Sequence, residues 1–484
     1  MVNVVPPRAC DNYQCAAWMA IGRRRIQTYP MRDRAVPLHK LTAQRLPGPA
    51  AEQAFAFQKQ LEAGALMDQP QLAAYQLHHL KRLVGFGTRE VEAYANAAFA
   101  ASVSSAKTLP EALSAIPILT RGALARNPLD YRSLQLPTGH SFGGQKRSSG
   151  TSGQVVAVET TNISHGWQSG MNLRAQLWAG RDFGKTYATI RVHFKTMAPY
   201  PEGVIEPSWG NVTTVPLQTG PSAHLDTKAS LEQQWEWLSR IKPDYLLTYP
   251  SIIRAMAARA AREGRMPFRL LGVSTVGETV DAELRDACRN DLGAELYDTY
   301  SAEELGVIAL QCPNTRRYHT MDDALIVEVL SEDDRPVAPG ETGRLVITPL
   351  FNYATPLLRY DIGDLAERGA VCSCGRCFGV LNRVVGRIRN IFRVRDGRTF
   401  WPSFGAKAYS SLVHVVQHQF RQLSYDELEV VFATKDTVSA ETEDRIRQAI
   451  AKKLPEPMTI HFRYVDEIPR EPGGKYQEFV CLID

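Results

Sequence analysis

Residues 148–153 read Ser148, Ser149, Gly150, Thr151, Ser152 and Gly153. Glycines let a backbone approach an anion closely, and successive N–H groups and hydroxyls can then converge on phosphate. A flexible Ser/Gly linker would have the same composition. The strand-like run VVAVETT that follows favours an ordered loop. No lysine completes a P-loop here. A second grouping is thiol-rich. CPNTRRYH places Cys312 and His319 six residues apart, and CSCGRC holds Cys372, Cys374 and Cys377. Soft sulfur and imidazole donors from two segments suit tetrahedral zinc with no open position, hence a structural site. The alternative is reduced free cysteines, which commonly pack as small buried apolar groups. A Cys312–His319 nucleophile would lack an orienting third group in the sequence.

The elements that must position these groups are legible from periodicity. The first ~140 residues read mostly helical, with AAEQAFAFQKQLEAGAL, REVEAYANAAFAAS and LTRGALARNP as helices. From residue 230 the pattern alternates. Ser230 caps the helix SLEQQWEWLSRI, PDYLLTYP is a short buried strand, and SIIRAMAARAARE is a helix stopped by Gly264. RLLGVST is a strand, Asp281 starts a helix that ends at Gly293, and AELYDTY is the next strand. Strands alternating with helices imply parallel βαβ units, whose ligands sit beyond the C-terminal strand ends. VGE and YDTYSAEELG lie at such ends. From residue 322 the sequence reads as a β-hairpin and further strand, and the last ~100 residues as a separate small α/β unit.

The chain has 484 residues and a net charge of +5, ordinary for a globular protein of more than one domain. No dense basic run with interleaved aromatics points to nucleic acid. No stretch approaches ~20 unbroken apolar residues, so no membrane span is expected. CAAWMAIG precedes RRR, the reverse of a secretory signal, and the eight cysteines are unevenly spread. Both observations favour a cytoplasmic protein.

Five segments in order resemble the adenylate-forming superfamily of acyl-CoA synthetases and adenylation domains. They are the Ser/Thr/Gly loop, YDTYSAEELG, RYDIGDLA, VVGRIRN and IPREPGGKYQEF, spanning residues 148 to 475. YSAEELGVIALQCP and CSCGR resemble the phenylacetate–CoA ligase-like branch. The resemblance implies an α/β fold. It would have a large adenylation domain of several subdomains with mixed and parallel sheets over residues 1–385, and a mobile α/β lid over 386–484. It implies that Ser148, Ser149, Gly150, Thr151, Ser152 and Gly153 hold the ATP phosphates and that Gly277, Glu278 and Tyr300 line adenine. Glu304 would ligate Mg²⁺, a hard cation that prefers carboxylate oxygen. Asp364 and Arg387 would hold the ribose, and Lys475 would bridge the acid and the α-phosphate. The branch also pairs Cys-x₆-His with Cys-x-Cys-Gly-Arg, which selects Cys312, His319, Cys372 and Cys374 for Zn²⁺, with Cys377 spare or a substitute. A homodimer is implied as well. Each residue also has a plainer reading: first-turn acids for Glu303 and Glu304, a β-bend for Asp364, a tail lysine for Lys475, core for Tyr300.

The implied chemistry is AMP-forming activation of an aryl or arylalkyl acid through an acyl-adenylate, then transfer to coenzyme A. His165, Trp167, Trp178, Phe183 and Trp209 lie in the region expected to form the acyl pocket, where core packing is the stronger expectation for each. The chain departs from the family with GQVVAV after the loop, Ser301 for Gly, and Arg389 in the hinge. These departures suit a specialised member of secondary metabolism. Such a member would diazotise an aryl amine with nitrite, or load a carrier protein or form an amide. A non-catalytic nucleotide-binding protein is the third reading.

Overall fold

The computed structural model describes residues 49–95, 97–148, 155–192, 198–210, 219–264, 266–387, 392–400, 409, 412, 413, 415, 417–470 and 476–483. The expected site residues Ser149, Gly150, Thr151, Ser152, Gly153 and Lys475, the hinge residue Arg389, and Cys10 and Cys15 lie outside them.

A 13-stranded sheet organises the large part of the chain. Tyr187–Arg191, Ser222–Asp226, Tyr245–Thr248, Gly272–Val276 and Glu295–Ala302 pair in parallel; the last three are the strands that the alternation after residue 230 implied, and the first two went unread. Glu295–Ala302 then pairs antiparallel with Gly306–Gln311, and the sheet continues antiparallel through Tyr318–Thr320, Val380–Arg387, Tyr360–Arg368, Thr342–Pro349 and Leu325–Leu330. The hairpin expected after residue 322 is the pair Leu325–Leu330 and Thr342–Pro349.

The caps fall where the sequence puts them. Ser230 accepts from the Gln233 N–H at the start of Leu231–Ile241 and forms a capping box with it. Asp281 caps Ala282–Asp291, and Gly264 ends Pro250–Glu263 at φ 78°, a conformation costly for a residue with a Cβ. These helices cover one apolar cluster of the parallel half, with Leu246, Ile253, Val273 and Leu296 at its centre. A second cluster, including Trp167, Ile308, Leu345 and Tyr360, fills the antiparallel half.

One element differs from expectation. REVEAYANAAFAAS is interrupted: the helix Gln69–Glu90 stops, and Phe99–Ser105 is a separate helix. Val91 is extended at φ −123°, is 2% exposed and bridges to Ser133, so burying its side chain overrides the helical period.

Beyond residue 392 a distinct four-stranded sheet joins Thr459–Val465, Glu427–Ala433, Gln417–Gln422 and Phe479–Cys481. The helix Ala440–Ala451, capped by Ser439, packs on it around Phe420, Val430, Ile446 and Ile460. No helix of the described residues is long and apolar enough to cross a membrane.

Candidate nucleotide site and Cys/His centre

The strand Phe142–Arg147 runs into Ser148, which closes the base of the Ser/Gly loop. The Ser148 N–H donates to the Val156 carbonyl at 2.9 Å, and the Val156 N–H donates to Ser148 Oγ at 2.9 Å. Arg121 reaches this point from another part of the chain. Leu119 and Thr120 pair in parallel with Tyr360 and Asp361, and Thr120 caps the short helix that begins at Arg121. The Arg121 guanidinium donates to Ser148 Oγ at 2.7 Å, to the Tyr360 hydroxyl at 3.0 Å and to Glu304 Oε1 at 2.5 Å. Tyr360 also donates to Glu304 Oε1, at 3.2 Å. Glu304 stands in the tight connection between Glu295–Ala302 and Gly306–Gln311, where Gly306 takes φ 77°. It is therefore a buried, ion-paired group rather than a solvated first-turn acid. Both of these hydrogen bonds fall on Oε1. Burial first, then the adjacent Glu304 charge, push the Tyr360 hydroxyl well above its ordinary range against the opposing pull of Arg121, so it stays a donor.

Tyr300, on the same strand as this turn, donates to Asp364 Oδ2 at 2.7 Å. Asp364 and Arg387 are directly opposed in the Tyr360–Arg368 and Val380–Arg387 pair, with Arg387 Nε 3.3 Å from Asp364 Oδ1. Burial first, and the Asp364 charge second, hold the Tyr300 phenol well above its usual range. Sequence motifs far apart in the chain are thus brought into one buried network.

Gly277 and Glu278 follow the parallel strand Gly272–Val276, and Gly277 takes φ 83° to turn there. Glu278 accepts from the Ser251 N–H at 2.8 Å and the Ser251 hydroxyl at 3.1 Å. Its Oε1 also accepts from Arg470 at 3.2 Å and from the Tyr476 N–H at 2.8 Å. Burial raises its carboxyl above the ordinary range and Arg470 opposes that. Arg470 and Tyr476 flank the segment that carries Lys475 in the sequence.

Trp167, Phe183 and Trp209 are core, and Trp178 is partly buried against it. Trp167 stacks on Phe351 at 4.1 Å, and Phe183 and Trp209 pack with Tyr187 and Tyr245. Trp178 lies edge-on to His319 and under Arg376. His165 shares a 2.8 Å hydrogen bond with Thr160, and burial lowers its pKa. A groove of about 1160 Å³ lies apart from the nucleotide candidates, between Gln69–Glu90, the helix Leu109–Ala115 with the residues that follow it, and Leu325–Leu330.

Cys312, His319, Cys372 and Cys374 bring one donor atom each within 4.8 Å of one another. Cys312 and Cys372 Sγ stand 3.8 Å apart, and His319 Nε2 is 3.1 Å from Cys374 Sγ. A tetrahedron with ~2.3 Å zinc–sulfur bonds has an edge of about 3.8 Å, so the thiol spacing fits. Burial opposes ionisation of Cys312, yet hydrogen bonds from Thr315 and Asn314 hold its thiol below its usual pKa. Cys377 stands apart. It packs with Met67, Leu72 and Phe378, its Sγ faces the Gly64 carbonyl, and burial pushes its thiol up to about 12. It is not a substitute ligand in this arrangement.

Sequence reasoning missed Arg121 and Ser251, and gave Arg470, inside the motif IPREPGGKYQEF, no role of its own. Arg121 had a signal: it lies three residues before Leu124, on the buried face of LTRGALAR.

Residues 401–481 match the family model of the CapK C-terminal domain. The chain is similar to a phenylacetate-coenzyme A ligase of Thermus thermophilus, 24% identical over 301 residues, which cover 56% of this chain and 65% of that one. The match therefore spans just under two thirds of that relative. Among solved structures, 2-hydroxyisobutyryl-CoA ligase in the postadenylation state with 2-HIB-AMP is similar at 18% identity and TM-score 0.68, covering 87% of this chain and 91% of that one. The same ligase in complex with 2-HIB-AMP and CoA in the thioesterification state gives TM-score 0.56, also at 18% identity, covering 86% and 91%.

Proposed function

We propose that this chain, which is similar to phenylacetate–CoA ligases and has the fold of an acyl-adenylate-forming ligase, is an AMP-forming ligase. It would activate a carboxylic acid with ATP and pass the acyl group to a thiol, coenzyme A first among candidates. The observation that carries this reading is the buried network at the strand ends, where Ser148, Arg121, Glu304 and Tyr360 meet and Tyr300, Asp364 and Arg387 stand beside them.

In this reading the acid's carboxylate oxygen attacks the α-phosphorus of ATP and pyrophosphate leaves. The thiol then attacks the acyl carbon and AMP leaves. The protein contributes positioning and charge neutralisation. Ser148 and the loop after it hold phosphate, Asp364 accepts from the ribose hydroxyls with Arg387 beside it, and Gly277 and Tyr300 border the base. Glu304, fixed through Oε1 by Arg121 and Tyr360, would hold Mg²⁺, which would neutralise phosphate charge when bound. Lys475 supplies a point charge at the reacting oxygens. Cys312, His319, Cys372 and Cys374 would hold a structural zinc, which would tie the turn after Gly306–Gln311 to the segment before Val380–Arg387. The division at residues 385/386 into a large domain and a mobile lid belongs to the same reading. An aryl or arylalkyl acid is the proposed substrate class, from the relatives' names.

The test is pyrophosphate release with Mg·ATP across phenylacetate, benzoates and short hydroxy acids, with and without coenzyme A. Amino-substituted acids would also be run with nitrite. Acid-dependent release that turns over only with coenzyme A is the expected result. Release that requires nitrite would move the chain to the diazotising reading. ATP binding with no release would leave a non-catalytic nucleotide-binding protein.

A further inference from the structure

Glu278 and Arg254 carry contacts that the chemistry of adenylation does not require. Both belong to the large unit, and both take partners from the C-terminal unit. Glu278 Oε1 accepts from Arg470 and the Tyr476 N–H, while Arg470 also donates to the Ser251 hydroxyl at 3.0 Å. Arg254 donates to Asp281 at 2.8 Å and to Glu478 at 3.1 Å. Arg470 lies near the rings of Tyr249 and Tyr476, with its guanidinium 5.9 and 5.7 Å from their centroids.

Each contact is built to come apart. If the C-terminal unit left, Glu278 would keep both hydrogen bonds from Ser251, and Arg254 would keep Asp281. Neither charge would be stranded, so the usual penalty for breaking a buried pair is avoided. Apolar contact does not seal the junction either. Among the described residues, the clusters around Phe420 and Val431 draw only on residues from 392 onward, and the clusters of the large unit only on residues up to 385. A junction made of polar contacts, with resident partners kept by the large unit's charges, is one that can open and reclose.

We infer that Arg470 on Glu278 and Glu478 on Arg254 form a polar latch that holds the two units in the arrangement for adenylate formation and releases for thiol transfer. This rests on the two-step reading proposed above. The better match of this chain to the postadenylation state than to the thioesterification state of one and the same ligase agrees with it. Arg470 and Arg254 act here as positioning residues: they set which of two arrangements is populated and touch no reacting atom.

The experiment separates the half-reactions in the full-length double variant Arg470→Gln, Arg254→Gln. Single-turnover pyrophosphate release would be measured with the fastest acid of the panel. Conversion of that acid's synthetic adenylate to the thioester would be measured separately. The first is expected to fall ~10- to 100-fold, in line with a lost positioning contact, and the second to stay within about two-fold of the unaltered protein by the same logic. Small-angle scattering without substrate is expected to show a broader distribution of interdomain distances in the variant. Equal loss in both half-reactions, or no change in either, would overturn the latch, as would unchanged scattering. If the unaltered protein released no pyrophosphate with any acid, the two-step reading itself would fall and the latch with it, a result visible before any variant is made.

Discussion

Two buried carboxylates, Glu304 and Glu278, each meet an arginine, and the pairs are built differently. Glu304 and Arg121 are 183 residues apart in sequence, yet both sit within the large sheet, with side chains 3% and 10% exposed. The partners described in that network, Ser148, Tyr360, Arg121 and Glu304, all come from one unit. Glu278 is 7% exposed and its partner Arg470 19%, and Arg470 belongs to the other unit. The first pair fixes a charge where a cation and phosphates are proposed to bind. The second joins two bodies and leaves Glu278 its hydrogen bonds from Ser251. Permanence and reversibility are therefore written into where the second partner resides, not into the residue types.

The largest effect that would break this comparison is at Arg121. Arg121→Met leaves Glu304 buried without its cation, and stripping one partner from a buried pair costs about 3–5 kcal/mol. Chemical denaturation should show a loss of that size, and pyrophosphate release should fall ~100-fold or more, as when a preorganised charge is removed. Glu304→Gln keeps the shape and tests the charge alone. It should lose the activity by a comparable factor while stability falls less, since the amide can still accept from Tyr360.

The Cys/His centre sharpens the comparison because it is another device internal to the large sheet. Purified protein should carry one zinc by elemental analysis. Cys312→Ser and Cys372→Ser should each lose it, and Cys377→Ser should keep it. Chelation should lower the melting temperature without altering the ratio of the two half-reactions. A change in that ratio would link the centre to the junction. The smallest effect is on stability at the latch. Arg470→Gln should cost about 1–3 kcal/mol, less than Arg121→Met, because a glutamine amide can still donate and Ser251 still serves Glu278. A loss as large as that at Arg121 would erase the distinction between the pairs.

Much of this was legible in the residues. Ser230, Asp281 and Gly264 mark helix ends by cap chemistry that needs no tertiary context. The strand–helix alternation from residue 230 onward gave the last three strands of the parallel half of the sheet, because burial on both faces imposes that pattern. Tyr300, Asp364 and Arg387 were found through motif order, and the register that opposes Asp364 to Arg387 explains why their motifs travel together. Arg121 escaped because nothing local distinguishes an arginine that pairs with a carboxylate across the fold from one on the surface. Only its place beside Leu124 on an inward face hinted at it. Arg470 was visible inside a motif, but its partner Glu278 lies in another unit, and contacts across a junction leave no periodic trace. Val91 shows the opposite failure, where burial at one position interrupts an otherwise helical run.

The most direct measurement is acid-dependent exchange of labelled pyrophosphate into ATP by the unaltered protein with Mg²⁺ and no thiol. Exchange that requires an acid and is lost in Glu304→Gln is the predicted result, since it reports the reversible first step alone. ATP that binds but never exchanges label with any acid would contradict the assignment of the buried network to adenylate formation.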